Sequence, residues 1–358
     1  MIFDDVVEGY TFDDFSLVPA YSEISSRKDP DISSELVPGL RYDTPIISAN
    51  MSKVTEVDMI RCMLEMGGTG AFHRFVTVQE LEHLLIDLCK NGQRRFGISV
   101  GVDPEYYGRI LDYVIKGPLE QSISYIIVDV AHGHHKFVER TIKDLKNRCA
   151  FPIIAGNVCT AKGVIDLARW GADAAKTGVS PGSACSTRQN MGVGYPQLSA
   201  ISNAHRARLE NDLNIRIIAD GGMRHTGDMV KALAAGADFL MTGNMLAGCS
   251  ETPGNVLTTG DQKFKLYEGM ASIDAQATFF SKESEDIVPE GEAFLVDYKG
   301  SAKKVLSKMI GSIKTGLSYL GCNNIQELHE HASDPEAWVK ITYAGHIEGT
   351  PHGMRWRS

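Results

Sequence analysis

The sequence lacks several features that would mark a membrane or secreted protein. It has no run of about 18 consecutive apolar residues, the length that a membrane-spanning helix needs. Residues 1–5 are acidic, unlike the cationic and then apolar start of a signal peptide. The seven cysteines are scattered and form no C-x-x-C pair, which favours reduced thiols over a disulfide framework or a zinc site. We therefore expect a soluble, cytoplasmic protein with no membrane partner.

The sequence also lacks net positive charge. Its 358 residues carry a formal charge of −9 at pH 7, which argues against nucleic acid as the main partner. A phosphorylated small molecule can still bind to local backbone amides of an acidic protein. The hydrophobic content of 43% suffices for a large core. Because no low-complexity tract or Gly/Ser-rich linker divides the chain, we predict a single domain over residues 1–358.

Short strand-like runs alternate with segments of helical spacing. The predicted strands are Pro45–Asn50, Thr69–His73, Phe96–Val102, Tyr125–Val130, Pro152–Asn157, Ala172–Gly178, Ile215–Asp220 and Asp238–Gly243. The predicted helices include Val54–Met66, Val78–Asn91, Pro104–Lys116, Lys136–Arg148, Ala161–Trp170 and Thr226–Ala235. Such alternation implies parallel strands joined by right-handed crossovers, and eight units in about 250 residues indicate a (β/α)₈ TIM barrel. The alternative, an open doubly wound sheet, would be expected to have a G-x-G-x-x-G turn after its first strand. This turn is missing here.

Three segments lie outside the predicted barrel. Residues 1–44 have few helix signals and should wrap the barrel before its first strand. Residues 249–300 are far longer than an ordinary loop between strand and helix, so we expect a flap over the active face; a surface hairpin without function is the alternative. The helix Ser301–Leu320 should close the barrel, and residues 321–358 should form a tail.

The loop Lys176–Arg188 is the strongest candidate for chemistry. Its glycines let backbone groups turn towards a ligand or ion, and its polar, partly cationic setting favours the thiolate of Cys185. The loop follows the sixth strand, on the face where barrel enzymes place catalytic residues. We therefore expect Cys185 to attack an electrophilic carbon, with Thr187 as a proton relay. A tight turn that holds an inert cysteine is the alternative.

The ends of strands seven and eight predict a phosphate site. They are Asp220-Gly221-Gly222 and Gly243-Asn244, in the region where barrel enzymes commonly bind phosphate. Glycines permit close backbone approach, and the Asp220 carboxylate can accept hydrogen bonds from ribose hydroxyls. Ser183 could reach the same phosphate. Histidines 132, 134 and 135 follow strand four, but no carboxylate-supported spacing accompanies them, so we do not predict a metal there.

These motifs together resemble the IMP dehydrogenase/GMP reductase family, over essentially the whole chain. The anchors are Thr11–Ser22, the cysteine loop, Gly192–Gln197, Asp220-Gly221-Gly222, Met245–Gly248, Tyr267–Met270 and Tyr298-Lys299-Gly300. The resemblance implies a barrel, assembled as a homotetramer, that binds a purine nucleotide monophosphate and a nicotinamide cofactor. It also implies that Cys185 forms a covalent adduct at purine C2 and that Thr187 relays a proton with Glu290.

The resemblance further implies three sets of binding residues. Nucleotide contacts would come from Ser183, Asp220, Gly221, Gly222, Gly243, Asn244, Tyr267, Gly269, Met270, Ala271, Glu290 and Gly291. Asp129, Val130 and Ala131 would line the nicotinamide pocket. A monovalent cation, K⁺, would be held by Ser180, Gly182, Cys185 and Arg188, with Glu348 contributed by a neighbouring subunit. Ser180 stands where the family has a glycine, so the cation depends on whether this residue needs a positive φ.

The flap distinguishes the two branches of the family. The dehydrogenase uses an Arg–Tyr pair in the flap to activate water, whereas the reductase releases ammonia from GMP and needs no such base. Residues 275–286 contain neither arginine nor tyrosine, and residues 75–96 replace the regulatory CBS domain pair of dehydrogenases. In contrast, Asp220–Arg224, His73–Phe75 and Val288–Gly291 look more like dehydrogenases. We favour NADPH-dependent reductive deamination of GMP to IMP and ammonia; NAD-dependent oxidation of IMP to XMP is the alternative.

Cofactor choice and other classes of function stay open at this point. Ser26, Arg27 and Arg74 could hold the 2′-phosphate of NADPH, although surface arginines are often merely solvated. A flavin-dependent barrel oxidoreductase would leave Cys185 and the flap glutamate unexplained. A catalytically silent nucleotide sensor is disfavoured because Cys185, Thr187 and Glu290 are all retained.

Overall fold

The computed structural model describes residues 6–90, 92, 94–116, 122–270 and 291–349, with only the backbone described for residues 114–116. The strands are β1 Phe15–Leu17, β2 Ser34–Val37, β3 Leu40–Tyr42, β4 Ile46–Ser48, β5 Thr69–Phe72, β6 Phe96–Val100, β7 Ile123–Asp129, β8 Ile153–Val158, β9 Ala174–Thr177, β10 Arg216–Asp220, β11 Phe239–Thr242, β12 Leu257–Thr259, β13 Gln262–Glu268, β14 Ala293–Asp297 and β15 Trp338–Lys340. The helices are α1 Val57–Glu65, α2 Val78–Lys90, α3 Pro104–Lys116, α4 Lys136–Arg148, α5 Ala161–Trp170, α6 Thr187–Met191, α7 Gln197–Glu210, α8 Thr226–Ala234, α9 Ala302–Tyr319, α10 Ile325–Ala332 and α11 Tyr343–Glu348.

Strands β4 to β11 are parallel and close into a barrel, with β11 paired to β4. The prediction of a (β/α)₈ barrel is confirmed, and each predicted barrel strand is present within two residues of its expected bounds. A single helix, α2, connects β5 to β6, so the chain has no inserted domain pair at that place. In the described part of the chain, no helix is both long and apolar enough to span a membrane.

The core has two layers because side chains alternate between the two faces of each barrel strand. Ile47, Tyr125, Ile127, Ile154, Ile218, Phe239 and Met241 form the interior cluster. Leu36 and Val37, from the hairpin of β2 and β3, pack into this cluster and contact the barrel strands. The barrel interior is therefore a filled core, which leaves the carboxyl-terminal mouth as the place for a ligand.

Local sequence signals account for the bounds of several helices. The Thr160 side chain accepts a hydrogen bond from the Gly163 amide at the start of α5, and α5 ends at Gly171 in the left-handed conformation, with φ 106°. Ser301 caps α9, which packs against α8. The predicted helices agree closely with those observed, but α7 was not among them.

The segments outside the barrel pack on its surface or extend its active face. Strand β1 pairs antiparallel with β15, so the segment before the barrel meets the one after it. Within residues 249–300, strands β12, β13 and β14 form an antiparallel sheet. Residues 271–290, the middle part of the predicted flap, lie outside the described residues.

Candidate functional site

A cavity of about 550 Å³ lies at the carboxyl-terminal mouth of the barrel. Its walls come from the segments that follow the barrel strands, as well as from residues 11–13 and from the loop after β13. The lining includes the predicted residues Arg74, Asp129, Val130, Ala131, Ser180, Gly182, Ser183, Cys185, Thr187, Arg188, Asp220, Gly221, Gly222, Gly243, Asn244, Tyr267, Gly269, Met270 and Gly291. Residues far apart in the sequence thus share one cavity.

Cys185 lies in this cavity beside Thr187. Its sulfur is 3.2 Å from the Thr187 hydroxyl oxygen, and it is the one cysteine of the seven whose residue is exposed. Burial raises the pKa of Cys62 to about 12 and those of Cys249 and Cys322 to about 11, so these buried thiols are poor nucleophiles. Exposure and a hydroxyl partner make Cys185 the candidate nucleophile of the chain.

The segment that returns from the flap meets the cysteine loop. Gly291 forms an antiparallel bridge with Cys185, and the Glu292 amide donates a hydrogen bond of 3.0 Å to the Ala184 carbonyl oxygen. Glu290, the predicted proton partner, and Ala271 lie outside the described residues. The bridge nevertheless fixes the residue that follows Glu290 next to the nucleophile.

The predicted phosphate residues lie close together. Gly221 and Gly222 have φ values of 81° and 79°, in the left-handed region that favours glycine. A Cβ on Gly221 would lie 3.2 Å from the Gly182 Cα, and one on Gly243 would lie 3.0 Å from the Tyr267 hydroxyl oxygen. Burial raises the pKa of Tyr267, partly offset by its hydrogen bond with Ser183. Backbone in the left-handed conformation can turn its amides towards an anion.

A buried ion-pair network lies on the floor of the cavity. The Lys176 ammonium is 2.8 Å from Asp129 Oδ1 and 2.9 Å from Asp220 Oδ2, and Asn157 Nδ2 also donates to Asp220 Oδ2, over 2.9 Å. Burial alone would raise the pKa of Asp129, but Lys176 and Arg74 outweigh it and hold the pKa below its usual value. Burial likewise opposes the charge of Lys176, yet the two carboxylates raise its pKa.

Sequence reasoning missed Lys176 and Asn157 as functional residues. The available signal was a lysine near the end of the short apolar strand β9, where a buried charge is costly unless paired.

The side of the cavity predicted for nicotinamide contains Asp129, Val130, Ala131 and Arg74. The Arg74 guanidinium lies 4.4 Å from the centre of the Phe75 ring, and burial lowers its pKa. The other two predicted cofactor residues lie elsewhere. Ser26 and Arg27 do not line this cavity, and the Arg27 guanidinium packs on Tyr319 at the end of α9, 5.2 Å from the ring centre.

The predicted cation loop has the backbone conformation that a glycine would favour. Ser180 adopts φ 75°, and its Oγ accepts a hydrogen bond of 2.9 Å from the Arg188 amide. The Gly182 carbonyl oxygen accepts a hydrogen bond from the Cys185 amide. Glu348 ends α11 and is not among the residues that line the cavity. The role of these residues in cation binding stays a prediction.

Comparison with known proteins places this chain in a family. A sequence model described as "IMP dehydrogenase / GMP reductase domain" matches residues 9–352. Inosine-5'-monophosphate dehydrogenase of Nitrosopumilus maritimus is 32% identical over 477 aligned positions, covering 97% of this chain and 98% of that protein. The dehydrogenase of Aquifex aeolicus is 43% identical over 276 residues, covering 75% of this chain and 54% of that protein.

A solved structure is similar over nearly the whole chain. It is a GMP reductase from Trypanosoma brucei in complex with guanosine 5'-monophosphate, with a TM-score of 0.87 and 26% identity over 98% of this chain and 99% of that chain. The sequence relatives are named as dehydrogenases, and the similar structure is named as a reductase. The chain therefore belongs to the IMP dehydrogenase/GMP reductase family of oxidoreductases.

Proposed function

We propose that this protein is a GMP reductase, which converts GMP to IMP and ammonia with NADPH. The observation that carries the proposal is the sequence of residues 275–286, which has neither the arginine nor the tyrosine with which a dehydrogenase activates water. The pair of Cys185 and Thr187 serves both branches, since each begins with addition of a thiolate to purine C2. Because residues 275–286 lack this pair, the sequence favours reductive deamination, which does not need a water-activating base.

In this proposal, the chain's own residues bind the nucleotide and move protons. Backbone amides around Gly221, Gly222 and Gly243, together with Ser183 and Tyr267, hold the phosphate, and Asp220 accepts hydrogen bonds from the ribose. The Cys185 sulfur adds to C2 of GMP, and Thr187 with Glu290 supplies a proton so that the exocyclic amine leaves as ammonia. When bound on the side of Asp129 and Arg74, the nicotinamide cofactor would supply a hydride to C2. The bond between C2 and the Cys185 sulfur then breaks, which releases IMP and restores the thiolate.

A direct assay tests the proposal. The protein is incubated with GMP and NADPH, and separately with IMP and NAD, and the nucleotide products and ammonia are quantified. We expect NADPH consumption with equal amounts of IMP and ammonia in the first mixture only. Formation of XMP in the second mixture without turnover in the first would show that the reductase proposal is wrong.

NAD-dependent oxidation of IMP to XMP is the second candidate. It is favoured by the identity of 43% to a protein named as an inosine-5'-monophosphate dehydrogenase and by the segment Val288–Gly291, which looks like that branch. It would require a water-activating base other than an arginine or a tyrosine of residues 275–286.

We also propose a homotetramer and a K⁺ ion, since Glu348 does not line the cavity of its own chain. Ser180, Gly182, Cys185 and Arg188 would hold the ion, with Glu348 reaching it from a neighbouring subunit. The molar mass measured by light scattering, and its response to replacing K⁺ with Li⁺, would check both statements.

A further inference from the structure

The Lys176 side chain has an unusual position that none of the roles above explains. Ala174, two residues earlier on β9, belongs to the cluster inside the barrel, so Lys176 also points into the barrel. Lys176 is 4% exposed, and its ammonium contacts Asp129 at the end of β7 and Asp220 at the end of β10. One ammonium thus joins the carboxylate on the cofactor side to the carboxylate on the ribose side.

Lys176 offsets the repulsion between the two carboxylates. Both carboxylates contact its one nitrogen, so they lie close to each other, and like charges that share a site repel each other unless a cation lies between them. Lys176 and Asn157 both donate hydrogen bonds to the same oxygen of Asp220, Oδ2. A carboxylate anchored through one oxygen can use the other to accept hydrogen bonds from a ligand.

We propose that Lys176 is a positioning residue that holds Asp220 for the ribose hydroxyls and Asp129 for the nicotinamide cofactor, and so couples the two binding sites. This inference rests on the proposed purine nucleotide chemistry but holds for either branch. Lys176 does not contact the reacting atoms in this scheme; it acts through the two carboxylates.

Among the described residues, the other groups near the network do not replace the ammonium at Asp220. Arg74 interacts electrostatically with Asp129, and Asn50 and Asn157 are neutral donors. Tyr267, which also interacts electrostatically with Asp220, carries no positive charge. In the part of the chain that the structure describes, removal of Lys176 leaves Asp220 without a cation at hydrogen-bond distance.

A purely structural role makes a different prediction from a positioning role. If Lys176 only ties β7, β9 and β10 together, its loss should weaken the binding of every nucleotide alike. If Lys176 positions Asp220, its loss should selectively remove the contribution that the ribose hydroxyls make to the binding free energy. Comparison of GMP with 2′,3′-dideoxyguanosine monophosphate, which lacks both hydroxyls, separates the two roles.

The test measures the dissociation constants of both nucleotides, and of NADPH, by titration calorimetry with the full chain and three variants. Wild type should bind GMP at least about tenfold more tightly than the dideoxy nucleotide, as expected for hydrogen bonds to a charged group. In Lys176→Met this ratio should fall to about two or less, and the NADPH dissociation constant should rise about tenfold, because both carboxylates lose their contact with the ammonium. Lys176→Arg should restore a ratio above that of Lys176→Met, since arginine keeps the charge.

Lys143→Met is the matched control, because Lys143 forms an exposed ion pair with Glu139 on α4, away from the cavity. It should keep the wild-type ratio. If Lys176→Met does not fold, Lys176→Gln, which retains N–H donors without a charge, takes its place under the same criterion.

The outcomes distinguish this inference from the proposed function. A folded Lys176 variant that weakens both nucleotides equally, or that leaves both unchanged, overturns the inference while GMP reduction by wild type stands. If wild type oxidises IMP instead, the proposed reductase activity is wrong, and the same ratio measured with IMP and its dideoxy analogue decides the inference. If wild type binds neither GMP nor IMP, both are wrong.

Discussion

The sulfur of Cys185 lies 3.2 Å from the hydroxyl oxygen of Thr187, at the start of α6. Either atom can donate the proton at this distance, so the pair can exchange a proton without movement of the backbone. The bridge from Cys185 to Gly291 brings the end of the flap to the same point. This arrangement makes the thiol and the hydroxyl separately testable.

Substitution of the thiol should stop catalysis without preventing nucleotide binding. We expect Cys185→Ala to lower turnover by more than about 10³-fold, because the covalent route is lost with the nucleophile. The dissociation constant for GMP should change little, since phosphate and ribose contacts remain. Cys159→Ala is the control, as Cys159 does not line the cavity. Turnover that survives Cys185→Ala would rule out the covalent mechanism.

Substitution of the hydroxyl should affect the rate more than the binding. Thr187→Val keeps the shape of the side chain but removes the proton relay, so kcat should fall by about 10²–10⁴-fold while KM changes little. Thr187→Ser, which retains the hydroxyl, should recover much of the rate. Equal rates for the valine and serine variants would mean that Thr187 only packs against Cys185.

The sequence was enough to predict the barrel because its strands are short apolar runs separated by amphipathic helices. Helix α7 was missed for a physical reason: several of its buried positions are small alanines, and Gln197 is also buried, so its apolar face is weak. The flap was predicted as a long insertion, and its strands β12 to β14 depend on pairing that no local pattern specifies.

In the site too, some roles can be predicted from local sequence and others depend on contacts between distant residues. The roles predicted for the glycines and for Cys185 come from motifs, since these roles depend on nearby backbone. The role of Lys176 could not, because it depends on Asp129 and Asp220, which only the closed barrel brings to one nitrogen.

Ser180 offers a test of the backbone requirement in the cysteine loop. Its φ of 75° costs a residue with a Cβ about 1 kcal/mol relative to glycine, while its Oγ accepts a hydrogen bond from the Arg188 amide. Ser180→Ala loses the hydrogen bond and keeps the strain, whereas Ser180→Gly relieves the strain. We therefore expect Ser180→Ala to be less stable than Ser180→Gly by about 1 kcal/mol in the free energy of unfolding by urea. An alanine variant as stable as the glycine variant would contradict this account.

A cluster of titratable side chains beneath the barrel should make the free energy of unfolding depend on pH. His205 of α7 lies 5.2 Å, between ring centres, from His329 of α10, and its Nδ1 is 2.8 Å from Arg208 Nη2. Arg208 is paired with Asp238 over 2.6 Å. Burial, and then Arg208 and His329, lower the pKa of His205 to about 4 against the favourable effect of Asp238, and burial also lowers the pKa of His329.

The sign of the effect follows from which state binds the proton. An unfolded histidine titrates at pH of about 6.5, whereas folded His205 titrates at about 4. Between these values His205 is protonated in the unfolded chain and neutral in the folded one, so the free energy of unfolding falls as pH falls. His205→Gln can still accept from Arg208 but does not titrate. It should therefore lose about 1–2 kcal/mol less than wild type between pH 7 and pH 4.5, after solvent screening of this partly exposed group is allowed for.

Urea unfolding of wild type and His205→Gln at a series of pH values measures this difference directly. The difference in unfolding free energy at pH 8, where histidines are neutral in both states, is the reference that removes any change in packing. Part of the acid dependence should persist in the variant, because His329 is also held neutral by burial. Parallel stability curves for the two proteins from pH 8 to pH 4.5 would show that His205 does not couple folding to protonation.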